Sequence, residues 1–181
     1  MTTPDLPTDV RWPDVPAVHG WLSLDRRGGW RLKGEPVTHG GLIAFLNAHY
    51  GSDGDGNWFV QNGPQRVFVT LDYTPLVLRL DVDDSLTAHT GAATGPIIAA
   101  YLDEDGNVLL HASQGVGLLD DRDLSAFVGQ CRADDGGPAS DAAFVEVMGG
   151  GSGVVWHGLP LQAIRHAEVA ARFAFRPRPE P

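Results

Sequence analysis

The sequence predicts an α+β protein of many short strands and about three short helices. Three observations carry this. Glycine and proline are abundant, 23 and 13 of 181 residues, which favours turns and short strands over long helices. Polar clusters such as Asp25-Arg26-Arg27-Gly28 and Asp103-Glu104-Asp105-Gly106-Asn107 separate apolar runs, as hairpin turns do. Two other stretches place apolar residues at helical spacing: Leu42, Phe45, Leu46 and His49, then Leu124, Phe127, Val128 and Cys131. Each describes one face of a helix.

Residues 1–16 carry four prolines and read as a flexible leader. Strands over 18–24 and 29–33 flank the first hairpin turn. Thr38 is a good N-cap for the first helix, and Gly51 offers a left-handed stop. The Asp53-Gly54-Asp55-Gly56-Asn57 cluster is a turn. Strands follow over 58–61, 65–71 and 76–82; the last alternates Leu76, Leu78, Leu80 and Val82 with Val77, Arg79 and Asp81, a half-buried pattern. A break near 83–86 divides the expected subdomains, 17–84 and 85–175. In the second, strands are expected over 86–89, 97–102, 108–112, 144–148 and 154–157. Asp120 caps a helix, 161–171 forms a final helix, and 176–181 is a disordered tail. One echo crosses the halves: Leu32-Lys33-Gly34-Glu35-Pro36-Val37 and Trp156-His157-Gly158-Leu159-Pro160-Leu161.

Composition narrows the function classes. Hydrophobic residues at 43% and charged residues at 20% suit a soluble globular domain. A net charge of -10 with scattered Lys and Arg disfavours nucleic acid and anionic membranes as partners. The single cysteine, Cys131, excludes an intrachain disulfide and suits a reducing compartment. The N-terminus lacks a signal peptide's basic and apolar regions, and no apolar run reaches the roughly 20 residues of a membrane span. A soluble, cytoplasmic protein is expected.

The chemical motifs mostly fail. The Asp53 cluster starts like a calcium loop, but its sixth and twelfth positions are Trp58 and Pro64 where Gly and Glu are required. Asp81, Asp83 and Asp84 read as a solvated strand end. Asp120, Asp121 and Asp123 read as a helix start, where negative charge is favourable. None of the seven histidines has zinc-motif spacing. The Gly149–Gly153 run meets neither the nucleophile-elbow nor the phosphate-loop pattern. No metal and no cofactor is expected. Trp30 and Trp58 read as core anchors.

What remains is narrow. His39 lies in a helix's first turn, where backbone N–H groups are free. Gln61 and Asn62 form a polar turn, and Arg66 beside them can meet an anion.

The block from Trp30 to Asp81 resembles the bacterial domain-of-unknown-function family 1285 and a sister family closer still. Its pattern is a strand Trp, then Gly34, Pro36 and Val37, then a helix opening near His39 with Leu42, Phe45 and Leu46 inside. A Gly/Asp turn, a Trp58-Phe59-Val60 strand, a Pro64 turn, a Val67-Phe68-Val69 strand, Asp72, Pro75 and a Leu-rich strand complete it. The turn Gln61–Gln65 is more polar and longer than that family's, and the second half matches poorly. The resemblance implies a rolled, mostly antiparallel sheet with a helix packed into it. It implies no catalytic residues.

The resulting expectation is a non-enzymatic module that binds a small molecule or a protein, with His39, Gln61, Asn62 and Arg66 as ligand-binding candidates. An enzyme, a hydrolase or isomerase, would need His39 or His111 paired with an Asp inside a pocket. A structural or assembly protein, as a homodimer, would need an exposed β edge or apolar patch.

Overall fold

A computed structural model describes residues 13–181. The first unit runs β1 (Ala17–Leu24), β2 (Trp30–Leu32), β3 (Glu35–Pro36), α1 (Gly40–Ala48), β4 (Tyr50–Ser52), β5 (Trp58–Asn62) and β6 (Gln65–Leu71). These strands form a six-stranded sheet in the order β3-β2-β1-β6-β5-β4. Two meanders are thus joined through α1, and their inner strands β1 and β6 pair in parallel. In β6 the alternation is strict: Val67, Val69 and Leu71 are buried, while Arg66, Phe68 and Thr70 face out. That is the strand period of two.

The rest of the chain supplies β7 (Leu76–Leu80), β8 (Leu86–Ala88), β9 (Ile97–Leu102), β10 (Val108–Ala112), β11 (Gly115–Leu119), a 3₁₀ turn (Asp121–Asp123), α2 (Leu124–Gln130), β12 (Cys131–Ala133), α3 (Asp141–Met148), β13 (Val154–Trp156), β14 (Leu159–Ala163) and α4 (His166–Arg172). Its eight strands are ordered β12-β13-β14-β9-β10-β11-β7-β8. One hydrophobic cluster includes buried residues of both sheets.

The α+β class holds, with two corrections. The described residues form four α-helices rather than about three. Both sheets are mixed rather than mostly antiparallel, because β1–β6, β14–β9 and β11–β7 are parallel pairs. Sequence alternation marks a strand but carries nothing about the direction of its partner.

The two sheets repeat one plan. β9-β10-β11, α2 and β12-β13-β14 retrace β1-β2-β3, α1 and β4-β5-β6, again with the inner strands parallel. The register agrees in detail. Leu24 pairs with Trp30 and Leu71, and Leu102 pairs with Val108 and Ala163. Asp72 N donates to Leu24 O at 3.0 Å, and Ile164 N to Leu102 O at 3.1 Å. Asp25 and Asp103 open the matching turns; each Oδ1 accepts two backbone N–H groups. The second unit differs by inserting α3 between β12 and β13. The sequence echo has another origin. It aligns the β2–β3 and β13–β14 hairpins, which are not equivalent in the repeat. They share a two-residue turn with both positions at positive φ: Lys33 and Gly34 at 50° and 84°, His157 and Gly158 at 46° and 80°. Such turns match the twist of the flanking strands.

Other local expectations shift. His39, not Thr38, is the N-cap of α1; its Nδ1 accepts from Leu42 N at 3.2 Å. The helix ends at His49, and Gly51 lies within β4. Residues 144–148, expected as a strand, belong to α3, which Ser140 caps through Ala143 N and Asp141 favours in its first turn. Residues 161–163 extend β14, so the last helix starts at His166. β7, expected in the first subdomain, pairs with β11 and β8 of the second sheet. Of the expected leader, residues 1–12 lie outside the described residues; Pro13 O and Val15 O accept from the Gln65 amide. The tail beyond α4 lacks regular structure, yet Arg176 N donates to Gly56 O and Pro177 O accepts from Leu71 N. Among the described residues no helix is long and apolar enough to cross a membrane.

Candidate functional site

The alternation of β5 and β6 sends Trp58, Val60, Val67 and Val69 into the core. It leaves Phe59, Gln61, Arg66 and Phe68 on the opposite face. Register then makes neighbours of them: Phe59 stands across from Phe68, and Gln61 across from Arg66. The phenyl centroids are 5.9 Å apart. His19 of β1 stacks on Phe68 at 4.5 Å with the rings 9° from parallel. The Arg66 guanidinium lies 4.6 Å from the Phe59 centroid, a cation–π contact. Farther along the sheet, Lys33 Nζ lies 3.7 Å over Trp21.

Gln61 donates its amide to Gly63 O at 2.6 Å and Gln65 O at 3.2 Å, which ties down the hairpin. Its side-chain oxygen meets no donor among the described residues. Asn62 Nδ2 reaches Gln65 Oε1 at 3.4 Å. Arg66 forms no ion pair among the described residues. Its charge does reach Asp53: burial pushes that carboxyl up, but hydrogen bonds from Asn57 and Asp55 and the Arg66 charge together hold it below its usual value.

The structure brings Gln61, Asn62 and Arg66 together and separates His39 from them. Gln61 N donates to His49 O at the C-terminal end of α1. His39 caps the other end of this nine-residue helix, about 14 Å away along its axis. The aromatic partners His19, Phe59 and Phe68 are not among the residues that the sequence singles out. The β5–β6 pair was recoverable from strand period, but His19 comes from a strand far away in sequence.

Other polar clusters resolve into structural roles. Asp120, fully buried, takes two hydrogen bonds from the Arg122 guanidinium at 2.8 and 2.6 Å. Burial raises its carboxyl, but Arg122 outweighs that and holds it at about 2. Asp121 pairs with Arg27, and Asp123 with Arg79. Asp81 and Asp83 accept from Ser85 and Thr87, and Asp84 from Gln130.

Asp103, Asp105 and His166 each place one ligand atom within 4.8 Å of the others, a spacing that could hold a cation. The Asp103 carboxylate is already saturated. Oδ1 accepts from Asp105 N and Asn107 N, and Oδ2 from Asn107 Nδ2 and, at 2.7 Å, Tyr73 OH. A carboxylate has about four acceptor positions, so a metal would have to displace one of these bonds. The donor set does not fit a metal, and Tyr73, stacked on His166 at 4.0 Å, anchors the turn instead.

Among the described residues no histidine side chain is hydrogen-bonded to a carboxylate. His39 caps a helix, and His111 packs on Phe173 at 5.0 Å.

The molecule is thus an α+β protein of two repeated mixed sheets, with an aromatic and cationic patch on one outer face. A family model described as "Protein of unknown function (DUF2946)" matches residues 8–180, and the chain belongs to that family. Its fold is similar to that of a DUF1285 family protein from Silicibacter pomeroyi DSS-3, with TM-score 0.55 and 13% identity over 90% of this chain and 88% of the other. A DUF1285 family protein from Shewanella baltica OS155 matches 60% of this chain and 90% of its own, with 17% identity and TM-score 0.45. The resemblance read from Trp30 to Asp81 thus extends, as fold, to most of the chain. No curated protein matches the sequence.

Proposed function

We propose that this protein is a non-enzymatic binding module whose ligand is a small planar anion. The ligand lies on the outer face of the first sheet. The observation that carries this reading is the arrangement of Arg66 and Gln61 over an aromatic floor. Arg66 offers a guanidinium with no carboxylate partner among the described residues; side by side with it across one strand pair, the Gln61 amide oxygen meets no donor among them and can accept only from an N–H or O–H of the ligand, not from its carboxylate. Phe59, Phe68 and His19 supply flat surface beneath them. A ligand ring would stack on that surface while its carboxylate meets Arg66. Asn62 holds the hairpin in shape, and His39 stands outside the site.

Benzoate is a suitable probe, since it joins one ring to one carboxylate. In ¹H–¹⁵N spectra of the full chain it is expected to shift the amides of Gln61, Arg66 and Phe68. Arg66→Gln should weaken binding about tenfold, the loss of one charge-assisted pair, while His39→Ala leaves it unchanged. Shifts confined to other residues, or equal binding by Arg66→Gln, would refute the assignment.

A further inference from the structure

Each repeat ends its inner parallel pair in a crevice. In the first, the chain leaves β1 at Asp25-Arg26 and β6 at Asp72, and these residues line a cavity of about 400 Å³ together with Leu118 and Leu119. In the second, the equivalent exits at Glu104 and Ile164-Arg165 line one of about 460 Å³. Ground outside the carboxyl ends of parallel strands is where ligands bind in open α/β sheets, and here the topology makes it twice.

The two crevices differ in where their charges come from. In the second, Glu104 accepts from His166 N at 2.8 Å, and the other two charged lining groups, Arg165 and Glu168, both stand at the start of α4. In the first, most charged lining groups are engaged: Asp25 Oδ1 holds the turn through Arg27 N and Gly29 N, and Arg27 forms a two-bond pair with Asp121 at 2.9 and 2.8 Å. Two groups are left. The Arg26 guanidinium rests 5.0 Å over the Tyr73 ring and forms no ion pair among the described residues. The Asp72 carboxylate has neither hydrogen bond nor ion pair among them, although its backbone is fixed by Leu24 O. Opposite charges line one cavity without closing on each other.

We propose that this crevice is a binding site for a small zwitterion of the α-amino-acid class, with the ligand carboxylate on Arg26 and its ammonium on Asp72. A lone cation is a poor fit, since the Arg26 guanidinium lines the same cavity as the Asp72 carboxylate. A phosphate dianion is worse, because Asp25, Asp72 and Asp121 all face the same space. A ligand carrying both charges at short separation meets both groups. Charge-assisted bonds to each then add, and the apolar lining of Leu118 and Leu119 suits a small aliphatic side chain. This site is independent of the outer-face site.

Three probes separate the contributions: L-alanine, L-alaninamide, which lacks the carboxylate, and N-acetyl-L-alanine, which lacks the ammonium. With the full chain, L-alanine is expected to shift the amides of Arg26, Asp72 and Asn107 in ¹H–¹⁵N spectra, and both analogues to bind about tenfold more weakly or worse. Arg26→Gln and Asp72→Asn, both at exposed positions, should each cause a similar loss, whereas Arg165→Gln in the second crevice should change nothing. No shift with L-alanine, equal affinity for the analogues, or unchanged binding by both first-crevice variants would overturn the proposal. A benzoate response that survives Arg26→Gln shows that failure here leaves the other site standing.

Discussion

His89 sits between the two sheets, and its surroundings decide its charge. Its Nδ1 accepts from Val77 N at 3.2 Å, so the neutral ring carries its proton on Nε2. That nitrogen is buried without a hydrogen-bond partner; the Trp30 and Tyr50 rings stand 5.7 and 5.5 Å away, edge to face. Burial lowers its pKa from 6.5 to about 4, against smaller opposing effects of Val77 and Asp25. The unfolded chain therefore binds the proton more readily, and stability falls as pH drops from 6.5 towards 4. The expected loss is roughly 2–4 kcal/mol across that window. Urea unfolding measured through it should show the slope, and His89→Gln, which keeps an acceptor but does not titrate, should flatten it. A wild-type midpoint independent of pH there would refute the account. Asp120 acts lower: its folded pKa is depressed to about 2, so its contribution is present above pH 3.8 and vanishes between 3.8 and 2. Sequence alone cannot show such shifts. In the sequence His89 is one more histidine, at the end of the strand expected over 86–89, and only the meeting of Trp30, Tyr50 and Val77 makes it unusual.

Strands and turns show which elements local sequence can specify. The hairpin turns at Asp25, Asp53 and Asp103 were legible, because each Asp bonds its own turn's backbone. α3 was not, since a short apolar run fits strand and helix alike and the Ser140 cap precedes it. Parallel pairing was invisible for the same reason that partner identity always is: it lives in contacts far apart in sequence. Glycines test this scale. A Cβ on Gly117 of β11 would lie 2.5 Å from Leu78 Cγ, a branched carbon packed in the core, whereas Gly129 of α2 has open space around its Cβ position. Gly117→Ala should cost about 1–3 kcal/mol by overpacking. Gly129→Ala should stabilise by roughly 0.5–1 kcal/mol through helix propensity. Chemical denaturation of the two variants reads both signs, and a neutral Gly117→Ala would show that the β7–β11 contact is looser than described.

At the scale of the whole molecule, the repeated plan raises the question of whether the halves are separable. The candidate site was half legible for a related reason: Gln61 and Arg66 lie on one hairpin, but His19 reaches them only because β1 pairs with β6. The crossing between units is equally long-range. β7 follows the first sheet in sequence and joins the second through β11. Tyr50 OH of β4 donates to Pro75 O at the head of β7. After α4, Phe175 is buried and Arg176 returns to Gly56 of the first sheet. Buried residues of both sheets belong to one cluster, so neither unit keeps a closed core without the other. Unfolding is therefore expected to be a single cooperative transition despite the duplicated architecture. Trp156 lies in the second sheet and Trp30 and Trp58 in the first, which gives each unit its own probe. In a Trp156→Phe variant, tryptophan fluorescence reports mainly the first unit and far-ultraviolet circular dichroism the whole chain. The two denaturation curves should coincide, with equal midpoints and slopes. Separated midpoints would mean that the repeats are independent folding units, joined by their crossing strand but not stabilised by it.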